Sequence, residues 1–243
     1  MMRYPVRLLG VTGLALALAL GCEEEPKPTA KARPVETKKV LTGKNVWLEV
    51  QKDGPKVNKR VLVSATVCLR EGQLELLMCR KQTKEHEAVL SADVDARQVH
   101  AALLAAGAEP GHPVTYQPRY KPATGQTIKV SLQYEQKGKQ VTVPAQSWVK
   151  NSKTGKELES NWVFAGSHLI DNPLDKDQPK IYLANEGDLI CVSNFESAML
   201  DLPIKSPKDN ADLVFEAFTN RIPPLETPVV VILDPVPEPK QKK

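Results

Sequence analysis

The sequence predicts a β-rich α+β fold, with an antiparallel or mixed sheet and at least one packed helix near residues 95–106. Most segments of the central region alternate apolar and polar residues with a period of two, which is typical of half-buried strands. One segment instead shows the spacing of an amphipathic helix. The 20 prolines favour many short elements joined by ordered loops.

The strands are expected as short segments bounded by Gly, Pro, Asn or Asp. In chain order they are NVWLEVQ, RVLVSATVCL, LELLMCR, EAVLSA, TIKVSLQYE, QVTVPA, WVFAG, KIYLA, DLICVSN and TPVVVIL. KDGPK is expected to turn the chain between the first two, and Lys137–Lys139 to close a hairpin. The pattern of LVFEAFTN leaves strand and helix open.

The helix is predicted within DVDARQVHAALLAAGAEPG. Its first residues include aspartates suited to N-capping, and Gly107 is suited to a left-handed C-terminal stop. Val99, Leu103 and Ala106 would share the buried face, whereas His100 is expected on the helix surface.

Residues 1–21 are expected to form a lipoprotein signal peptide. Arg3 and Arg7 precede the apolar run Leu8–Leu20, which is shorter than the roughly 20 residues that span a bilayer and fits a secretory signal. The LGC sequence that ends at Cys22 resembles a bacterial lipoprotein signal, in which the cysteine is acylated. The alternative is an ordinary signal peptide cleaved elsewhere, with Cys22 incidental.

Residues 22–39 are expected to be a disordered tether and residues 234–243 a flexible tail, because both are rich in Pro and charge and have little to bury. Residues 40–233 are long enough for one domain with a real core. This region is neutral, with 23 basic and 23 acidic residues. It lacks the clustered basic face of nucleic-acid binding proteins, so no nucleic-acid partner is expected.

The segment CLREGQLELLMCRKQTKEHE, residues 68–87, contains two cysteines and a histidine. A tight hairpin centred on Glu71 and Gly72 would separate Cys68 and Cys79 by roughly 13 Å along the ladder. A disulfide requires Cα atoms within about 7 Å, so a direct Cys68–Cys79 bond is not expected.

Three cysteines remain if Cys22 is acylated, namely Cys68, Cys79 and Cys191. One interpretation is that all three are buried free thiols. The other is one disulfide, which joins Cys191 to Cys68 or to Cys79.

The other candidate site residues give weak signals. His86 lies between Glu85 and Glu87, so His86 with Glu87 is a candidate acid–base pair, although an exposed charged turn gives the same pattern. Cys79 and His86 are weak candidates for metal ligands. No cofactor is expected, because the sequence contains no CxxC, HExxH, dinucleotide or complete phosphate-loop motif.

Five strings occur in this order, KEHEAVL, VHAALLAAGAEPGHPV, VPAQSWV, NWVFAGS and GDLICVSNFESAMLDLP. Together they closely resemble the YdjY-domain proteins of planctomycete and other bacteria, over roughly Lys44 to Leu233. The resemblance implies a domain boundary but no reaction. Some relatives are described as ferredoxin-like, but an iron–sulfur cluster needs about four thiolates, several of them close in sequence, which this chain lacks. Relatives usually have glycine where IPPLETPV has Glu226, so a different turn is expected there.

The leading functional hypothesis is an exported cell-envelope protein, held at a membrane by lipid on Cys22. Its domain would be a binding or interaction module for an envelope protein or a small molecule. The alternative is an envelope redox accessory or enzyme that uses His86 with Glu87, or Cys79 with Cys191.

Overall fold

A computed structural model describes residues 35–175, 177–207 and 213–237. The predicted signal peptide, the lipid site at Cys22, most of the tether and the last residues of the tail lie outside this range. Within the described residues, no helix is long and apolar enough to cross a membrane.

The described residues form mostly strands. The strands are β1 (Glu36–Gly43), β2 (Val46–Asp53), β3 (Lys56–Val67), β4 (Leu76–Arg80), β5 (Ala88–Ala92), β6 (Thr127–Gln136), β7 (Lys139–Pro144), β8 (Val149–Asn151), β9 (Trp162–Phe164), β10 (Leu169–Ile170), β11 (Ile181–Tyr182), β12 (Ile190–Cys191), β13 (Leu200–Asp201), β14 (Phe215–Ala217) and β15 (Pro228–Pro235). The α-helix α1 spans Ala96–Ala106, and short 3-10 helices span Ala145–Trp148, Leu183–Glu186 and Thr219–Arg221.

The main sheet closes into a barrel. Eight strands form the ring, in the order β3-β15-β6-β9-β13-β12-β4-β5, and β5 pairs back to β3. Strands β1 and β2 extend the sheet beyond β3, and β7 extends it beyond β6. The β4–β5 and β12–β13 pairs are parallel and the other pairs are antiparallel, so the predicted β-rich fold is a mixed-sheet barrel.

Each predicted strand overlaps an observed one, and β14 settles LVFEAFTN as a strand, whereas β1, β8, β10 and β13 were not predicted. The domain boundaries differ at both ends. Strand β1 begins at Glu36, inside the segment expected to be a tether, and β15 continues to Pro235. Both segments are tied to a neighbouring strand by a ladder of backbone hydrogen bonds.

The expected tight hairpin between β3 and β4 is wrong, because β5 lies between them. Thr66 of β3 and Cys79 of β4 are both register partners of Ser91 on β5. The loop that joins β3 to β4 is tied to β14 instead of closing on itself. Leu74 N–H donates to Phe215 O at 2.9 Å, and Ala217 N–H to Gly72 O at 2.9 Å.

Helix α1 agrees with the sequence in its bounds and caps. Asp95 accepts a hydrogen bond from Arg97 N–H at 2.9 Å, and Gly107 has a left-handed φ of 92°. Val99 and Leu103 are fully buried in the barrel core.

His100 is only partly exposed, rather than fully on the helix surface as the sequence predicted. Its Nδ1 lies 2.8 Å from the Tyr182 hydroxyl, and its ring packs edge-on against Phe164. Burial lowers the pKa of His100, and the hydrogen bond with Gly166 opposes that change.

Removal of the helix cap is the first test of this architecture. Asp95→Ala is expected to lower the free energy of unfolding by about 1 to 2 kcal/mol, because the Arg97 N–H loses its acceptor. Asp95 also accepts from Asn185 Nδ2 at 3.1 Å. Urea denaturation gives the change, with Asp53→Ala at the exposed end of β2 as the control. Equal losses of unfolding free energy in Asp95→Ala and Asp53→Ala would contradict the assignment of Asp95 as the N-cap of α1.

Candidate functional site

A polar cavity of ≈ 590 Å³ opens where β5 joins β3. On β3 the side chains alternate, so Ser64 and Thr66 lie on the face opposite the buried Val61 and Val63. The side chains that line the cavity are mostly polar, and include Asn45, Ser64, Thr66, Cys68, Lys81, Glu85, Ser91, Asp93 and Glu226.

Backbone hydrogen bonds fix the walls of this cavity. Glu226 N–H donates to Val67 O at 2.9 Å, and Asn45 Nδ2 donates to Asp93 O at 3.0 Å. Glu226 has a φ of 63°, which glycine adopts without strain. The expectation of a different turn is therefore not supported, because Glu226 takes the left-handed conformation that suits a glycine. These two hydrogen bonds fix the segments around Glu226 and Asn45 at the walls of the cavity.

The charges around the cavity are mixed, with a negative excess. Lys81 faces Glu85, Asp93 and Glu226 across the lining. At the rim, the Lys44 ammonium lies 2.6 Å from Asp93 Oδ2, and this contact lowers the pKa of Asp93. Such a lining suits a polar ligand that carries positive charge.

Cys68 forms part of the cavity wall and is half-buried. Its thiol donates to Ala88 O at 3.1 Å, which favours the neutral form. A hydrogen bond from the Cys79 side chain lowers the pKa of Cys68, and one from Ser91 lowers it further. Burial and the negative charge of Glu85 oppose this change.

Cys79 is fully buried behind Cys68. The hydrogen bond to the Cys68 sulfur raises the pKa of Cys79, and burial raises it further. The tight hairpin assumed for these two cysteines is wrong, but they still lie on opposite sides of β5. The intervening strand β5 lets the chain after β3 fold over toward β4.

Cys191 lies elsewhere in the core and is fully buried, in a cluster with Leu76, Ala88 and Phe195 that also contains Cys79. Burial raises its pKa. All three described cysteines are free thiols. A disulfide of Cys191 with Cys68 or Cys79 stays a prediction.

His86 does not line the cavity. Its side chain is 77% exposed, and its Nε2 lies 3.7 Å from Glu87 Oε2. The Glu87 carboxyl is hydrogen-bonded to Glu75. His86 and Glu87 therefore do not face a common cleft as an acid–base pair would. Within the described residues, no group of three or more His, Cys, Asp or Glu side chains could hold a metal ion, including one around Cys79 and His86.

A second polar cluster surrounds Lys84. Its ammonium lies 2.9 Å from Asp188 Oδ1 and 4.0 Å from Glu87 Oε1, and it sits 4.5 Å from the centroid of the Phe195 ring. Burial raises the pKa of Glu75 to about 7, and the hydrogen-bonded Glu87 carboxyl adds to the rise. Glu75 can therefore hold a proton near neutral pH.

A third polar group, Asn194 with Asp201, is buried at the β12–β13 connection. Asp201 Oδ1 accepts from Asn194 Nδ2 at 3.1 Å and from Leu202 N–H at 2.7 Å. Burial raises the pKa of Asp201 to about 7, while these hydrogen bonds lower it. Tyr120 reaches the same asparagine, with its hydroxyl 3.2 Å from Asn194 Oδ1.

No sequence motif marks the cavity. Its lining comes from distant segments, with Asn45, Thr66, Ser91 and Glu226 brought together by strand order alone. One local feature pointed to it, since Ser64, Thr66 and Cys68 alternate with apolar residues in a strand that is otherwise rich in valine.

Comparison with protein-family models matches residues 29–234 to the family described as the YdjY domain. No curated protein and no solved structure matches the chain.

The buried Asp201 carboxyl makes stability depend on pH. Its pKa is about 7 in the fold and about 4 in the unfolded chain. The folded state therefore keeps a proton that the unfolded state releases between these values. Stability is full below about pH 4 and falls as the pH rises to about 7. The loss is at most about 4 kcal/mol for this group.

Asp201→Asn is therefore expected to flatten the decline in stability between about pH 4 and about pH 7. Urea denaturation across this range measures it. Glu75→Gln is the matched comparison, because Glu75 titrates in the same range. Stability curves of wild type and Asp201→Asn that run parallel over the whole range would contradict the assignment.

Proposed function

The chain belongs to the YdjY domain family, and we propose that it is a lipid-anchored cell-envelope protein whose barrel binds a small polar ligand. The observation that carries the proposal is the ≈ 590 Å³ polar cavity beside Cys68. A signal of lipoprotein type at Cys22, followed by a Pro- and charge-rich stretch, supports export and anchoring.

The lining indicates the chemical class of the ligand. Asp93 is already paired with Lys44, but Glu85 and Glu226 still outnumber Lys81 in the lining, so a ligand with an amino or other cationic group would be attracted. Lys81 could pair with an acidic group on the same molecule. The hydroxyls of Ser64, Thr66 and Ser91 offer hydrogen bonds to the rest of it. The ligand can be a free molecule of the envelope or a cationic group presented by an envelope protein.

The acid–base alternative built on His86 and Glu87 has less support from the geometry. A general base must reach the proton that it removes, within a hydrogen bond or one water molecule. The exposed His86 ring is not part of the lining of the ≈ 590 Å³ cavity, whereas that cavity presents groups of both charges.

The anchor is tested by Cys22→Ser. The wild-type protein is expected in the membrane fraction and the variant in the soluble fraction, because the variant cannot be acylated. Cell fractionation followed by immunoblotting measures this, with Cys191→Ser as the control that keeps Cys22. A Cys22→Ser protein that still sediments with membranes would rule the anchor out.

The cavity is tested by filling it with Thr66→Trp. The low-molecular-weight fraction of an envelope extract is expected to raise the Tm of the wild-type protein, because a bound ligand stabilises the fold. The Thr66→Trp variant should lose this shift. Thr142→Trp, on the exposed strand β7, should keep it. The active component should be retained by a cation exchanger.

The extract experiment is run in a reducing buffer, so that thiol oxidation cannot contribute to the shift. An unchanged wild-type Tm would rule out a free small-molecule ligand. If only the high-molecular-weight fraction raises the wild-type Tm, and Thr66→Trp abolishes that rise, the ligand group belongs to an envelope protein.

A further inference from the structure

The polar cavity is one end of a longer groove on the outer face of the sheet. A second cavity of ≈ 470 Å³ and a third of ≈ 390 Å³ adjoin it, and Ser64 lines all three. The second and third cavities also share Gln133 and Val230. Because adjoining cavities with common walls form one depression, we call the three together the outer groove.

Strand register explains why these side chains line up. Val230 on β15 pairs with Ser64 on β3 and with Gln133 on β6, so the three lie side by side across the sheet. Leu62 lies two residues before Ser64, on the same face of β3, and pairs with Trp47 on β2. The outer groove therefore has a polar row beside an apolar pair, and Trp47 lies at the end away from the cavity.

The outer groove is longer than a small molecule. Thr66 in the cavity and Leu62 beside Trp47 are both on β3, and the four residue steps between them cover about 13 Å. Trp47 lies one strand further, on β2. A ligand that reaches from the cavity to Trp47 must therefore be a chain of several units.

The side chains of the outer groove offer both stacking and hydrogen bonds to such a chain. Among the described residues, the partly exposed Trp47 indole has no hydrogen-bond or ring partner, and the Ser64 and Thr66 hydroxyls have no hydrogen-bond partner. The Gln133 amide donates to Thr142 Oγ1 at 3.3 Å. A sugar ring can stack its C–H face on an indole while its hydroxyls bond to hydroxyl and amide groups.

An extended peptide fits the outer groove less well, because the groove offers it no backbone partners. Strand β3 is paired with β2 on one side and β15 on the other, and β15 is paired with β3 and β6. A strand that is paired on both sides has no free edge, so a peptide cannot join the sheet here. Only side chains contact the ligand, which suits the hydroxyl-rich surface of a sugar chain.

The charges of the outer groove favour a sugar chain with amino groups. In the polar cavity the carboxylates outnumber Lys81, and Glu135 adds another carboxylate in the second cavity. Lys39, which lines the third cavity, is paired with Glu49, with 3.5 Å between Nζ and Oε1. An anionic polymer would be repelled by this surface, whereas a chain of amino sugars would be attracted.

We propose that the ligand of this protein is an oligosaccharide of amino sugars, bound along the outer groove. An amino group enters the polar cavity, the sugar hydroxyls bond to Ser64 and Gln133, and one ring stacks on Trp47. The inference rests on the proposed binding function and deepens it, since it names the class of ligand. It can fail alone, because the cavity could bind a small cationic molecule with the rest of the groove empty.

The experiment titrates the full chain, extracted in a detergent without a sugar headgroup, with glucosamine and its oligomers. Acrylamide quenching of tryptophan fluorescence reports on the groove, because Trp148 and Trp162 are 1% and 0% exposed and Trp47 is the remaining tryptophan. A bound oligomer should protect Trp47. The affinity should rise about tenfold from the monomer to the tetramer through stacking on the indole. Fully N-acetylated oligomers, which lack the charge, should bind more weakly.

Variants separate stacking on Trp47 from a general attraction of cations. Trp47→Ala, measured by calorimetry, should bind the tetramer no more tightly than the monomer, because the indole is gone. Leu174→Ala, at a 94% exposed position that does not line the groove, should keep the full gain with length. Gln133→Leu should lower the affinity for the tetramer but not for the monomer, and it decides the case if Trp47→Ala fails to fold.

An affinity for glucosamine oligomers that does not rise with length would overturn the inference, as would equally tight binding of the N-acetylated series. A gain with length for oligomers of lysine, but not for those of glucosamine, would overturn it in favour of a peptide. In these cases a Tm shift by the envelope extract that Thr66→Trp abolishes still leaves the proposed binding function in place. Absence of any such shift in the wild-type protein removes both.

Discussion

The pairing of β5 with both β3 and β4 is the constraint on which the rest of this structure depends. It closes the ring of eight strands, through two register pairs with β3 and a parallel ladder with β4. A closed barrel leaves its ring strands without free edges. The same strand forms a wall of the polar cavity through Ser91 and separates the backbones of Cys68 and Cys79. Just after β5, Asp93 lines the cavity and Asp95 caps α1. One short segment therefore closes the barrel, forms part of the cavity wall and starts the helix.

The local features of this fold could be predicted from the sequence. The alternation in VWLEVQ and RVLVSATV identified β2 and β3, and the caps at Asp95 and Gly107 identified α1. These signals are local because a strand or helix period and a cap involve residues close in the chain. The two-residue strand β12 lies within the predicted strand DLICVSN, whereas β13, equally short, was not predicted.

Strand order could not be predicted, because it depends on contacts between distant residues. The REGQ sequence favoured a tight turn, yet the backbone groups of that loop pair with β14, more than a hundred residues later. That one error put Cys68 and Cys79 on neighbouring strands, whereas β5 separates them. The cavity was missed for the same reason, since Asn45 and Glu226 meet only after β15 has paired with β3.

The string GDLICVSNFESAMLDLP is one of the five that carry the family resemblance, yet its polar residues are best explained by the fold. Strands β12 and β13 are too short for ladder hydrogen bonds to pair all the buried backbone N–H and C=O groups around them. Asn194 supplies the missing partners, since its Nδ2 donates to Leu202 O at 3.1 Å and its Oδ1 accepts from Ser206 N–H at 2.7 Å. A buried backbone group left without a partner costs about 1 to 3 kcal/mol. Burying the Asp201 carboxylate near neutral pH costs stability. The hydrogen bonds that Asp201 accepts from Asn194 Nδ2 and Leu202 N–H offset this cost. Most side chains that line the cavity lie outside the five strings that carry the family resemblance. Membership of the family therefore indicates a shared fold but does not indicate a shared ligand.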